Sequence, residues 1–229
     1  PDGTEVVFFR DAEDGFDLLV LELATGDVRS LTETASLEYA PRWSPDGRKI
    51  LFVGRDHREA LPDIWTLDLT SGERRNLTAT AGADEFHPAW SSDGRSVTFI
   101  RVVDGEFAVH VLDLVTGADV RVAFEPGVAC FSPHFTPDGR WITFTRNVFE
   151  GSHPGLPGVF RVRPDGTDIE RLTGVPGGGT STSAAAGGSF TDPRDGQTYP
   201  TIEIAGMVWM GRNLNWAGRE SYCYDDLDA

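Results

Sequence analysis

The sequence predicts an all-β protein, a fragment of a β-propeller with about four four-stranded antiparallel blades, and two repeated turns carry this prediction. The first turn contains Asp-Gly, and the Asp residues of its four copies are 44, 47 and 45 positions apart. The second turn contains a Gly whose copies are 46, 45 and 49 positions apart. Internal repeats of roughly 40 to 50 residues are typical of propeller blades. The four pairs of turns are Asp2-Gly3 with Gly26, Asp46-Gly47 with Gly72, Asp93-Gly94 with Gly117, and Asp138-Gly139 with Gly166.

Each unit is expected to begin with a short strand that ends in a tight hairpin. Residues 39–43, 86–90 and 131–135 all read aromatic-x-Pro-x-aromatic and precede an Asp-Gly turn. Proline lacks a donor N–H, which suits the start or the edge of a strand. The first unit has no such segment, because the chain opens with Pro1-Asp2-Gly3. We therefore expect a piece of a longer protein and an incomplete ring.

Three further strands complete each unit. The second strands, 49–53, 96–100 and 140–144, contain consecutive apolar residues, so both of their faces should be covered. Third strands are predicted at 17–21, 63–67, 107–112 and 159–162. Short fourth strands end at Leu31-Thr32, Leu77-Thr78 and Leu172-Thr173, with Val122-Ala123 in the third unit. Four strands per unit is the construction of a propeller blade.

A change in composition marks a domain boundary after the repeats. Residues 175–188 are rich in Gly, Ser, Thr and Ala and are expected to form a flexible linker between a propeller at 1–174 and a second domain at 189–229. The second domain should begin with β-hairpins, with strands at 198–204 and 207–210.

Composition excludes several classes of function. A formal net charge of −16 argues against nucleic-acid binding. No apolar run approaches the ~20 residues that span a bilayer. Two cysteines, Cys130 and Cys223, cannot build a disulfide framework.

We find no catalytic motif and expect neither an enzyme nor a cofactor or metal site. The sequence lacks a Gly-x-Ser-x-Gly elbow, a phosphate loop, a dinucleotide fingerprint and an EF-hand loop. The repeated Asp residues fall inside turns, where a carboxylate bonds the backbone ahead of it. The five histidines share no ligand spacing.

The repeats resemble the WD40-like (PD40) repeats of TolB-type propellers over about residues 1–174. The resemblance implies an exported bacterial protein in the periplasm, at the cell surface or secreted. Such propellers generally have six or more blades, so four blades would form an open array that self-associates through exposed apolar faces. The matching segments are Trp43-Ser44-Pro45-Asp46-Gly47-Arg48, Asp63-Ile64-Trp65, Thr70-Ser71-Gly72-Glu73 and Leu77-Thr78.

Residues 189–229 resemble the start of the Fibrobacter succinogenes major paralogous (FISUMP) domain. The resemblance implies a second cysteine as a partner for Cys223, and the sequence ends at Ala229 before such a residue. The matching segments are Asp195-Gly196-Gln197-Thr198-Tyr199, Ile202-Glu203-Ile204, Trp209-Met210, Asn213-Leu214-Asn215 and Ser221-Tyr222-Cys223-Tyr224.

The candidate binding residues lie just before each repeated Pro. If the TolB-like arrangement holds, these segments start the innermost strands and lie near a central channel, where propellers bind partners. The alternative is that their aromatic side chains only pack the blades. The candidates are Glu38, Tyr39, Glu85, Phe86, His87, Cys130 and Phe131.

Two functions follow from the sequence. The first is a non-catalytic binding or scaffold module whose propeller contacts a protein or a glycan. The second is the regulatory propeller of a larger hydrolase or peptidase, which gates substrates to a catalytic domain absent from this chain. A purely structural spacer is a third reading.

Overall fold

A computed structural model describes residues 2–12, 15–33, 37–55, 60–148 and 158–173, together with the strands at 189–191, 198–204 and 207–210. Each regular element within these ranges is a β-strand, which confirms the predicted all-β class. No helix in the described ranges is long and apolar enough to cross a membrane. The contacts divide the chain into two units, Pro1–Arg171 and Leu172–Ala229. The predicted linker lies outside the described residues, and the domain limits stay a prediction.

The described part of the first unit contains four antiparallel sheets, which we call blades 1 to 4. Blade 1 consists of β1 (Glu5–Ala12), β2 (Gly15–Glu22) and β3 (Val28–Ser30). Blade 2 consists of β4 (Glu38–Trp43), β5 (Lys49–Gly54), β6 (Asp63–Asp68) and β7 (Arg74–Asn76). Blade 3 consists of β8 (Asp84–Trp90), β9 (Ser96–Val103), β10 (Glu106–Asp113) and β11 (Asp119–Phe124). Blade 4 consists of β12 (Val128–Phe135), β13 (Ile142–Val148), β14 (Gly158–Val162) and β15 (Glu170–Arg171).

The strands of each blade follow one another in sequence order, as hairpin connections require. Blades 2, 3 and 4 have the predicted four strands. Blade 1 has three described strands, in agreement with the missing aromatic-x-Pro segment of the first unit.

Carboxylates close the first turn of each blade. In blade 2 the Asp46 carboxylate accepts a hydrogen bond of 2.7 Å from the Ser44 hydroxyl and one of 3.0 Å from the Arg48 N–H. Gly47 follows with φ = 71°, a backbone angle that glycine adopts without strain. Asp93 and Asp138 repeat these two bonds in blades 3 and 4. The structural role predicted for the repeated Asp residues is therefore confirmed.

The second strands form the core and join successive blades. Residues 50–53 of β5 have no exposed surface, which confirms that both faces of this strand are covered. Leu51 and Val53 pack with Phe99 of blade 3, while Phe52 packs with Leu18 of blade 1. Phe144 of blade 4 packs against blade 3 in the same way. This stacking brings the first strands β4, β8 and β12 next to one another.

The described strands of the second unit are β16 (Ser189–Thr191), β17 (Thr198–Ile204) and β18 (Met207–Met210). They pair antiparallel in the order β16-β17-β18. Two of these strands match the predicted ones, whereas β16 was not predicted. The expected pairing of Cys223 lies outside the described residues.

Candidate functional site

The candidate residues all lie on the first strands of blades 2, 3 and 4, at equivalent positions. Glu38, Glu85 and Cys130 pair across the sheet with Gly54, Arg101 and Arg146, respectively, on the second strands. All three have no exposed surface, so they are closed to a ligand from solvent. The aromatic residues that follow them, Tyr39, Phe86 and Phe131, are half-buried.

In blade 3 the buried carboxylate neutralises an arginine of the neighbouring strand. Glu85 Oε1 lies 2.7 Å from Arg101 Nε, and the guanidinium lies 5.2 Å from the centre of the Phe99 ring. Burial raises the pKa of Glu85 above its ordinary value, and the Arg101 charge partly offsets this effect. A buried charge needs such a partner, so the pair anchors the start of β8.

In blade 2 the arginine that pairs with the buried carboxylate comes from a different strand. Gly54 occupies the position of Arg101, and a Cβ there would lie 2.9 Å from Phe52 Cε2. Arg74, from the fourth strand, instead forms the ion pair with Glu38 and lies 5.3 Å from the centre of the Trp65 ring. The absence of a side chain at Gly54 leaves the space that the Phe52 and Trp65 rings occupy, and the Arg74 guanidinium lies over these rings.

In blade 4 the carboxylate comes from the loop before the first strand. Arg146 Nη1 lies 2.7 Å from Glu125 Oε2 and the guanidinium stacks 5.5 Å from the centre of the Phe144 ring. Cys130 stands where the other blades have Glu, and burial raises the pKa of its thiol. A raised pKa keeps the thiol protonated and unreactive.

A polar network extends the blade 3 pair toward its outer strand. Arg101 Nη1 lies 2.7 Å from Asp119 Oδ2, and His110 Nδ1 lies 2.7 Å from Asp119 Oδ1. Burial raises the pKa of Asp119, but the hydrogen bonds from His110 and Arg101 outweigh it and leave the pKa below its ordinary value. The carboxylate therefore remains ionised and bound within the blade.

Each first strand contains a β-bulge immediately after these anchors. The pairing register shifts between Tyr39 and Arg42, and at the same place in β8 and β12. Ala40, His87 and Ser132 have φ angles of 53°, 53° and 49°. Non-glycine residues seldom adopt a positive φ, and a residue before proline normally favours an extended conformation. Because the same strained conformation occurs in three blades, the bulge is a regular structural feature of the repeat.

The bulges expose four polar residues, which we call the bulge cluster. They are Arg42, His87, Ser132 and His134, from the first strands of three successive blades, and all four are exposed. Ser132 N–H donates to His87 Nδ1 at 3.0 Å, and His134 Nδ1 lies 3.0 Å from the Ser132 carbonyl oxygen. Although His87 as a whole is exposed, its ring is partly desolvated against Ser132 and Phe131 of blade 4. This desolvation, followed by the charges of His134 and Arg42, holds the pKa of His87 below its ordinary value.

Of the residues predicted from the sequence, His87 alone belongs to the bulge cluster; Arg42, Ser132 and His134 were not predicted. The signal lay in the two variable positions of the aromatic-x-Pro-x-aromatic motif. Those positions hold Ala40 and Arg42, His87 and Ala89, and Ser132 and His134. Each of the three copies holds at least one polar residue at these positions, which could have indicated an exposed site.

The described residues contain no group of three or more His, Cys, Asp or Glu side chains that could hold a metal ion. What the bulge cluster offers is hydrogen-bond donors and one guanidinium, which suit recognition of a polar partner.

Comparison with known proteins supports the propeller fold. No family model matches the chain. Its sequence is 36% identical over 69 residues to the Tol-Pal system protein TolB of Roseobacter denitrificans, a match that covers 30% of this chain and 15% of that protein. The structure is similar to TolB from Acinetobacter baumannii, with a TM-score of 0.64 and 21% identity over 90% of this chain and 52% of the other.

A prolyl endopeptidase is also similar in structure, with a TM-score of 0.55 and 16% identity over 76% of this chain and 29% of the other. The chain thus spans about half of the solved TolB chain and a smaller part of the peptidase. The four blades have the fold of a TolB-like β-propeller segment.

Proposed function

We propose that the propeller is a non-catalytic binding or scaffold module of an exported bacterial protein, and that a protein or glycan partner contacts the bulge cluster. The observation that carries the proposal is the exposed cluster of Arg42, His87, Ser132 and His134 beside buried ion pairs on adjacent strands. Rigid strands that hold polar side chains in fixed positions make a precise recognition surface.

The similarity to a Tol-Pal system protein supports an exported location. We propose the periplasm, the cell surface or the medium as the place where the protein acts. A net charge of −16 supports the exclusion of nucleic acid as the partner.

We propose further that residues 189–229 belong to a FISUMP-like domain. The Ser221-Tyr222-Cys223-Tyr224 segment supports this assignment, and the described strands β17 and β18 fall within the matching region.

A second candidate is the regulatory propeller of a larger hydrolase or peptidase. Structural similarity to a prolyl endopeptidase favours it. In that case the blades would control access to a catalytic domain outside this chain.

Photo-crosslinking tests the proposal. A benzophenone side chain is placed at His134, which is exposed and leaves Arg42 and His87 in place, and, as a control, at Val115, which is 74% exposed in the second turn of blade 3. Each protein is irradiated in a periplasmic extract, where the probe reacts with C–H bonds of proteins and glycans alike. We expect a discrete adduct from position 134 and none from position 115.

Competition makes the result specific. Excess unlabelled wild-type chain should abolish the adduct, whereas excess chain with Arg42→Ser, His87→Ala and His134→Ala should leave it. Equal adducts from both positions, or equal competition by the variant chain, would refute the proposal. An adduct with a serine hydrolase domain would favour the second candidate.

A further inference from the structure

The two exposed histidines of the bulge cluster are oriented by one residue. Ser132 is held by the β12 bulge at φ = 49°, and its N–H and C=O groups both point to imidazole rings. The backbone N–H is a donor, so His87 Nδ1 must be the unprotonated nitrogen. The carbonyl oxygen is an acceptor, so His134 Nδ1 must carry a proton.

These bonds fix opposite tautomers. Neutral His87 carries its proton on Nε2, on the side of the ring away from Ser132. Protonation of His87 would place an Nδ1–H group against the Ser132 N–H, and this repulsion disfavours the charged ring. Desolvation of the ring lowers the pKa of His87 in the same direction. His87 is therefore a neutral donor. Its ring also lies 6.0 Å from the Phe131 ring, centre to centre, which limits its rotation.

The charges around His87 define what the donor can bind. Arg42 on β4 lies next to the strand that carries His87, because the Trp90 indole N–H of β8 donates to the Arg42 carbonyl oxygen at 3.4 Å. Arg42 and His134 of β12 are also the groups whose charges act on the His87 ring. The side chain of Arg42 is exposed, and none of the described ion pairs includes it. A guanidinium beside a fixed N–H donor matches the two oxygens of a carboxylate.

We infer that the bulge cluster binds a single carboxylate group, which Arg42 and the Nε2–H of His87 hold together. The inference rests on the proposed function, since it names the ligand chemistry of the same surface. One full positive charge suits a monoanion better than a phosphate dianion, particularly in a chain with a net charge of −16. The carboxylate can belong to a small free anion or to an acidic side chain of a peptide.

Histidine NMR on the full chain tests the inference. The Cε1–H resonances of His87 and His134 are followed in a ¹³C-labelled protein, with His110 as an internal reference because its ring is bound to Asp119. The probes are a tetra-aspartate peptide and a tetra-asparagine peptide, both acetylated and amidated at their ends, together with sodium acetate and inorganic phosphate. We expect saturable shifts of His87 and His134 with the aspartate peptide and none with the asparagine peptide.

The acetate arm identifies the source of the carboxylate. If acetate binds as tightly as the aspartate peptide, the natural ligand is a small free anion. If the peptide binds more tightly than acetate, the natural ligand is the acidic side chain of a peptide. Arg42→Gln should weaken peptide binding about tenfold, the effect of one charge-assisted hydrogen bond. Arg75→Gln removes the same charge from an exposed position on β7 and should leave binding unchanged.

Four results would overturn the inference: equal shifts with the asparagine peptide, unchanged binding by Arg42→Gln, equal weakening by Arg75→Gln, or phosphate binding tighter than the aspartate peptide. The two proposals fail separately. A crosslinked partner at position 134 without carboxylate binding leaves the proposed function intact. Carboxylate binding without a crosslinked partner supports the anion site and argues against a macromolecular ligand.

Discussion

Glu85 and Arg101 illustrate how single residues position the first strands. The Glu85 carboxylate has no exposed surface, and the Arg101 side chain is 13% exposed. Removing one partner of a buried pair is costly because the other charge stays in a low-dielectric site. Arg101 retains Asp119, which limits the loss.

Glu85→Gln should therefore lower the free energy of unfolding by ~2 kcal/mol. Urea denaturation of the purified chain measures this value. Glu73→Gln removes the same charge from an exposed position and should change it little. Equal effects of the two substitutions would show that the buried pair does not stabilise blade 3.

The pKa values of the turn carboxylates predict how the stability of the folded chain depends on pH. Hydrogen bonds from Ser44, Ser91 and Thr136, followed by those from backbone N–H groups, lower the pKa values of Asp46, Asp93 and Asp138. Because these values are lower in the folded chain, the carboxylates stabilise it above the unfolded pKa of about 3.9. That stability is lost as the pH falls through the folded values.

We expect the triple variant Asp46→Asn, Asp93→Asn, Asp138→Asn to lose less stability than the wild type between neutral and acidic pH. Thermal melts at a series of pH values measure the difference. Parallel curves for the two proteins would mean that these carboxylates do not contribute to acid sensitivity.

At the scale of the element, the bulge in each first strand stores backbone strain. Ser132 is exposed and adopts φ = 49°, where a Cβ is unfavourable. Glycine removes that cost and keeps both backbone bonds to the histidines.

Ser132→Gly should stabilise the protein by ~0.5 kcal/mol, the relief of the strained φ less the added entropy of the unfolded chain. Ser132→Val should destabilise it by ~1 to 2 kcal/mol, because a β-branched residue is poorly tolerated there. Ala118→Gly, at an exposed position without positive φ, should cost ~0.5 to 1 kcal/mol. Destabilisation by Ser132→Gly equal to that by Ala118→Gly would argue against strain.

The sequence predicts the strands well and the bulges poorly. The aromatic-x-Pro-x-aromatic motif locates β4, β8 and β12, because proline and the following Asp-Gly turn leave few alternatives. The bulge positions hold Ala40, His87 and Ser132, which share no property that marks a positive φ. The ion-pair partner of Glu38 could not be predicted either. Its cross-strand neighbour Gly54 has no side chain, and Arg74 of β7 forms the ion pair instead.

At the scale of the whole molecule, exposed apolar surface and net charge have opposite effects on self-association. Val6 on β1 and Val28 on β3 lie on the same face of blade 1 and are 43% and 52% exposed, while the chain carries a net charge of −16. Exposed apolar patches favour association, and like charges resist it until salt screens them. The predicted self-association should therefore grow with ionic strength.

Sedimentation velocity across a salt series measures this association. We expect a monomer at low salt and larger species at high salt, and Val6→Asp should shift the balance toward the monomer. A monodisperse monomer at every salt concentration would contradict the prediction.

The central claim is that the bulged first strands of blades 3 and 4 meet at Ser132 and fix the exposed histidines. Long-range ¹H–¹⁵N NMR spectra of the imidazole rings test it most directly, because they distinguish the protonated nitrogen from the unprotonated one. At a pH where both rings are neutral, we predict a proton on Nε2 of His87 and on Nδ1 of His134. The same tautomer in both rings, or averaged tautomers in either, would contradict the account.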